Sequence, residues 1–232
     1  MISGIRRAAC CLLLFSFVGL VGCGDDSVKM SAHLNRAQEF LETEEFGKAI
    51  IEFRNVLQID PKNEEAHYGL AKAYFGADKL PDGYWWLSET VRLDPENWQA
   101  RYEYGEVSRL AGKYEEALGQ AEAIIEGDSD RVEAYTLKAQ ALEALFRGEE
   151  AEEFYLIAME REPDNSMRIM GMATYLVRQG RRDEAEPYFQ RAIDVEQNFL
   201  TYFAMAGFLR DNPDRLLEAE QYYLSARDAA RE

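Results

Sequence analysis

"EFRNVLQIDPKN" (Glu52–Asn63) is echoed by "WLSETVRLDPEN" (Trp86–Asn97) and again by "YLIAMEREPDN" (Tyr155–Asn165). Pro61 and Pro95 stand 34 residues apart, and Pro163 lies twice 34 beyond Pro95. Self-similarity at a fixed period of this size marks a repeat architecture in which each unit is one supersecondary element. A 34-residue ruler laid from Met30 divides the chain into six units without insertion: 30–63, 64–97, 98–131, 132–165, 166–199 and 200–232.

Two columns of the ruler are almost uniformly small. The eighth reads Ala37, Ala71, Gly105, Ala139, Ala173 and Gly207; the twentieth reads Ala49, Gly83, Ala117, Ala151, Ala185 and Ala219. The twenty-fourth is mostly large: Phe53, Leu87, Ala121, Tyr155, Phe189 and Tyr223. Two antiparallel helices cross closely only where side chains are little more than a methyl or a hydrogen, with larger neighbours filling the gaps. "LAGKY" (Leu110–Tyr114) and "RQGRR" (Arg178–Arg182) set Gly at a helix end, where the left-handed conformation costs it least. Asp60-Pro61, Asp94-Pro95 and Glu162-Pro163 close the second helix, which proline cannot continue.

This pattern resembles the tetratricopeptide repeat (TPR) family over nearly all of the chain from Met30 on. The resemblance implies an all-α fold, a right-handed α-solenoid (superhelix) of six helix pairs, with a concave face lined by the first helix (helix A) of each pair. Departures fall on helix ends. Ser129, Gln197 and Arg231 replace the closing proline in units three, five and six; Gly148 stands where an aromatic is usual; Pro187 sits early in a second helix (helix B). The last helix B, "LLEAEQYYLSARDAARE", either caps itself or is covered by something else, and Tyr222-Tyr223 make an uncovered end uncomfortable.

Chemistry is sparse. His33 and His67 both fall at the fourth repeat position, usually a large packing aromatic, so packing explains both. "EGDSDRVE" (Glu126–Glu133) lacks the calcium-loop pattern and reads as a loop followed by a helix N-cap. No Ser lies in a G-x-S-x-G setting and no Gly-rich phosphate cradle occurs. The expectation is a protein that is not an enzyme and that carries no metal and no cofactor.

In TPRs the concave groove is built from the second, fifth, ninth and twelfth positions. Carried onto this chain, that gives a partner-binding stripe including Leu34, Tyr68, Lys72, Phe75, Tyr102, Glu106, Arg109, Met167, Met170 and Phe208, to which Met205 is added. Aromatic residues and methionine are typical anchors of such surfaces. The lysine–asparagine–arginine clamp with which chaperone-binding TPRs hold a C-terminal carboxylate is missing. The expected partner is therefore a protein or peptide segment with apolar anchors, possibly basic opposite Glu103, Glu106 and Glu133. Trp85-Trp86 form a second candidate surface: adjacent helical residues point about 100° apart, so one packs and the other is exposed.

The N-terminus carries a different signal. Arg6 and Arg7 precede an apolar run from Ala8 to Val21, the layout of a secretory signal peptide. Leu20-Val21-Gly22-Cys23 resembles the bacterial lipobox. The resemblance implies removal of 1–22, lipidation of Cys23, a short tether over 23–29 and a membrane held through acyl chains. Gly24-Asp25 after the cysteine resembles outer-membrane lipoproteins facing the periplasm. Loss of Arg6 and Arg7 takes the net charge from −17 to −19, which argues against nucleic acid, whose affinity is built from neutralised phosphates.

Together these features resemble bacterial envelope-assembly TPR lipoproteins, either pilotin-like or associated with exopolysaccharide and exosortase (PEP-CTERM) systems. The function implied is a membrane-anchored, periplasm-facing scaffold that binds a protein partner in its groove and helps assemble or localise an envelope complex. The alternative is an accessory lipoprotein of exopolysaccharide synthesis or export, or a glycan-binding module. Oligomeric state is left open.

Overall fold

The computed structural model describes residues 22–231, with side chains from residue 26. The apolar leader thus lies outside the described residues, and of Cys23 only its place in a helix is described. All regular structure among the described residues is helical. The helices are α1 (Gly22–Glu42), α2 (Phe46–Ile59), α3 (Glu64–Gly76), α4 (Leu80–Leu93), α5 (Trp98–Leu110) and α6 (Tyr114–Gly127). They continue with α7 (Val132–Ala144), α8 (Gly148–Arg161), α9 (Ser166–Arg178), α10 (Arg182–Val195), α11 (Phe199–Arg210) and α12 (Leu216–Ala229). Residues 23–29, expected as a tether, are part of α1.

Every helix B starts on the ruler and runs 14 residues, including the three without a closing proline and the one containing Pro187. Helix ends are therefore set by packing and caps rather than by proline. Asn63, Asn97 and Asn165, the last letters of the repeated motif, each accept backbone N–H bonds at the start of the next helix A. In the last repeat the cap moves to Asn198, so α11 begins one residue early with Phe199. The cap expected in "EGDSDRVE" is absent: Arg131 precedes α7 without a side-chain cap, and its guanidinium pairs with Asp128 at 2.9 Å.

The turn between helices A and B holds one left-handed residue at the same repeat position in five units. It is glycine at Gly112 (φ +76°) and Gly180 (φ +77°), but Glu44, Asp78 and Phe146 (φ +61°) elsewhere. A left-handed conformation costs an L-residue about 1–2 kcal/mol. Phe146 bears that cost while 97% exposed, so folding does not repay it.

The chain divides into two compact units, the first ending at Trp86 within α4 and the second beginning at Leu87. The first unit has its core in Phe53, Val56, Leu70 and Tyr74. There Gly69 lies directly against the Phe53 ring: a Cβ on it would meet three ring carbons at 2.2–2.6 Å. The second unit packs Leu137, Leu142, Tyr155, Ile169, Leu176, Phe189 and Leu209 around the small residues of the eighth and twentieth columns. A Cβ on Gly105 would stand 2.5 Å from Leu137 Cδ2, whereas one on Gly207 would meet nothing within 4 Å. The eighth column's steric demand is thus real in the third repeat and lapses in the sixth.

Arginines at the first position before helix B tie successive pairs together. Arg181 bonds Glu184 of its own helix and Glu152 of α8, both within 2.7 Å. Arg215 repeats the device 34 residues later, bonding Glu218 and Glu186 at 2.8 Å each.

Candidate functional site

In the second unit α5 packs beside α7 and α9 beside α11, while Arg168 and Arg178 of α9 bond Thr136 and Glu143 of α7, so the second, fifth, ninth and twelfth positions lie along one side. The structure corrects the expected apolar stripe on it. Met205 is 2% exposed and Met170 and Phe208 are buried, all three within the core cluster. Met205, at the sixth position, points between helices. Phe208 lies against the Phe189 ring (5.1 Å between centroids) beneath the Arg182 guanidinium (4.6 Å). A long apolar side chain on a close-packed helix gains more from the core than from solvent, which draws these three inward.

What remains on the face is a lattice of charges around aromatic rings. Tyr102 is half-buried on the core edge, and burial, reinforced by the Glu106 carboxylate, holds its hydroxyl above the usual phenol range. Glu106 and Arg109 form an ion pair at 2.9 Å. Arg168 on α9 reaches back to Glu162 (2.9 Å) and donates to Thr136 Oγ1 on α7 (3.3 Å). Arg178 grips Glu143 with two bonds, at 2.5 and 2.7 Å, and Tyr155 donates its hydroxyl to the same carboxylate at 3.0 Å. Burial, then the Glu143 charge, raises the Tyr155 hydroxyl so that it stays protonated and donating. Met167 and Thr174 stand exposed on this face, and Val177 half-exposed.

Arg178 and Arg168 were missed by reasoning from groove columns, since they occupy the thirteenth and third positions. The available signal was charge: each sits one repeat beyond an acid or hydroxyl of the preceding helix A. The ion pairs fix the orientation of the donors and acceptors on this face.

In the first unit, Leu34 packs on the core and Tyr68 is half-buried beneath the Lys72 ammonium (4.5 Å to the ring centroid). Phe75 is half-buried with its ring against Gly83, where a Cβ would stand 2.7 Å away, so this residue serves the helix crossing. Trp86 packs on the core and on His67, as one of the tryptophans was expected to, and Trp85 is 53% exposed, edge-on to it at 4.7 Å. His67 is buried, with Nδ1 bonded to the Asn63 carbonyl at 2.9 Å. His33 departs from a packing role: its Nδ1 lies 2.5 Å from Glu52, which Arg36 also binds at 2.9 Å. That arginine, with the histidine, holds the Glu52 carboxyl below its usual range.

Among the described residues no cluster of His, Cys, Asp and Glu has the arrangement of a metal site, and no helix is long and apolar enough to cross a membrane. An open depression of about 390 Å³ lined by Glu162, Asn165, Ser166, Met167 and Glu196 borders the start of α9.

Residues 37–77 match the family described as TPR repeat, and residues 87–131, 111–166 and 170–199 match families described as tetratricopeptide repeat. Among characterised proteins, the chain is 29% identical over 85 residues to Superkiller protein 3 of Schizosaccharomyces pombe, covering 37% of this chain and 6% of that one. It is 35% identical over 78 residues to the Hsp70/Hsp90 co-chaperone CNS1 of Saccharomyces cerevisiae, covering 33% and 20%. The chain thus spans a small part of either relative. Among solved structures, MamA from Desulfovibrio magneticus RS-1 (residues 41 to the end) superposes with a TM-score of 0.67 at 19% identity, over 72% of this chain and 95% of that one. A second MamA crystal structure gives 0.66 at 22%, over 73% and 93%. At such identity the likeness shows the fold. The matched stretches together take in more than half of the sequence, and with twelve α-helices paired on a 34-residue ruler among the described residues the chain belongs to the tetratricopeptide repeat family and has its all-helical fold.

Proposed function

We propose that this protein is a membrane-anchored scaffold that holds a protein partner against the helix-A face of its second unit, and so helps assemble or localise a complex of the bacterial envelope. The observation that carries the binding reading is the pre-set lattice of Glu106–Arg109, Arg168–Glu162 and Glu143–Arg178 around Tyr102. Side chains already ordered by their own pairs lose less rotamer freedom when a partner docks on them. Residues 64–165 hold 24 acids against 10 lysines and arginines, which favours a partner segment with basic residues beside one or two apolar anchors. Tyr102 and Met167 are the anchors' counterparts on this side.

The anchor rests on the lipobox-like Leu20–Cys23, and the outward destination on Gly24-Asp25. With Cys23 lipidated, a stable hold needs two or more acyl chains. A lipid anchor joined to this face supports the reading of an assembly factor that holds its partner close to a membrane surface.

Affinity capture with the intact lipidated protein tests the binding reading. Tyr102→Ala combined with Met167→Ala should lower recovery of the captured protein about tenfold while the circular dichroism melt stays in place; unchanged recovery refutes this face as the site. Cys23→Ala should move the protein from the membrane to the soluble fraction.

A further inference from the structure

The last repeat carries a surface that the helix-A lattice does not use. Phe199 and Phe203 on α11 stack at 5.3 Å between ring centroids, and Tyr223 of α12 meets Phe203 edge-on at 5.5 Å. Leu200 lies one helical turn from Phe203 on the same side. Phe199, Leu200 and Phe203 are all about half exposed, so four apolar side chains form one continuous patch.

In the fourth and fifth repeats the same register is closed. Tyr135 and Ile169, at the position of Phe203, are buried, as are Val132 and Ser166 at the position of Leu200. Tyr135 is closed by its own helix B: the Arg161 guanidinium lies over its ring at 4.7 Å. The residue at that place in the last repeat is Ala229, too short to reach.

The surroundings identify the occupant. Residues 166–231 hold nine arginines and ten acids, against 10 and 24 in residues 64–165, so the last two repeats are nearly neutral in a chain of −17. Like-charged copies repel wherever their acidic repeats approach, and least at this end. Arg227 and Asp228, paired at 2.9 Å on the last turn of α12, border the patch with one charge of each sign. An isologous contact matches each residue of one copy with a different residue of the other, so a border with both signs can be its own complement.

We infer that the face formed by Phe199, Leu200, Phe203 and Tyr223 docks a second copy of this chain across a two-fold axis. Four partly exposed side chains fall short of the ~800 Å² per partner of a standard interface, so the dimer is weak, with a dissociation constant on the order of 10 μM.

Sedimentation equilibrium of the full chain in mild detergent, from about 1 to about 100 μM, should show a monomer–dimer equilibrium. Phe203→Glu and, separately, Leu200→Glu should each weaken dimerisation at least tenfold without shifting the thermal melt. Leu110→Glu, at a more exposed leucine elsewhere, should leave it unchanged. A chain that stays monomeric throughout, or an association that both patch substitutions leave intact, overturns the inference. So does an aromatic face that binds a different protein while the chain itself remains monomeric.

Discussion

Tyr135 and Phe203 occupy the same place in their repeats, twice 34 residues apart, and differ about eightfold in exposure, 6% against 49%. Both lie near the start of a helix A, although α11 begins one residue earlier on the ruler than α7 does. Tyr135 packs with Ile125, Phe154 and Ala158 and lies under the Arg161 guanidinium, whereas the sixth repeat has Ala229 in place of Arg161. The same contrast runs through the second unit. In its inner repeats Arg161 lies over a ring and Arg109, Arg168 and Arg178 pair with carboxylates, whereas Phe199 and Phe203 of the last repeat are about half exposed. A TPR unit therefore does not by its fold alone decide which surfaces are available. Side chains at a few columns do so.

Glycine substitutions should separate the two regions most strongly. Gly105→Ala drives a methyl to 2.5 Å from Leu137 and should cost about 1–3 kcal/mol of stability in urea unfolding. Gly207→Ala, at the same column with open space, should gain about 0.5–1 kcal/mol from helix propensity. Equal effects would mean that the two repeats pack alike.

Arg178→Ala strips Glu143 and the Tyr155 hydroxyl of their shared cation in a half-buried setting, and about 1–3 kcal/mol should be lost. Exchanging the closing device should act in opposite senses. Arg161→Ala uncovers Tyr135 and costs about 0.5–1 kcal/mol, while Ala229→Arg covers Phe203 and recovers a similar amount. Under the two-copy reading, Ala229→Arg should also weaken self-association.

Phe146→Gly should raise stability by about 0.5–1 kcal/mol in the same denaturation experiment by relieving the left-handed phenylalanine.

The smallest effect concerns pH and the first unit. Glu52 titrates lower folded than unfolded, so its contribution is present above the unfolded carboxylate value and disappears as pH falls through the folded one. Glu52→Gln should cost under about 1 kcal/mol at neutral pH and flatten the acid limb of a melting-temperature profile.

Much of this fold was legible before any coordinates, because the two small columns and the repeated motif each have one steric cause. Unit boundaries at 64, 98, 132 and 166 coincide with helix starts, as the ruler implied. Less was legible at the site. The groove columns name positions, not depth: Met170, Met205 and Phe208 go to the core because neighbouring repeats leave room for them there. Arg168 and Arg178 escaped because their partners lie 32 and 35 residues away, a proximity visible only once adjacent helices are stacked. The asparagine closing the repeated motif was read past altogether, although a residue that both follows Asp-Pro and precedes a helix is a natural N-cap.

The most direct test of the helix-A face as a docking surface is site-specific photocrosslinking in cells. One probe replaces Thr174, exposed on that face, and another replaces Gly119, exposed on helix B with nothing within 4 Å of its Cβ position. Docking on the helix-A face predicts an adduct with a different protein from position 174, several-fold stronger than from position 119. No adduct at 174, or a stronger one at 119, would contradict it.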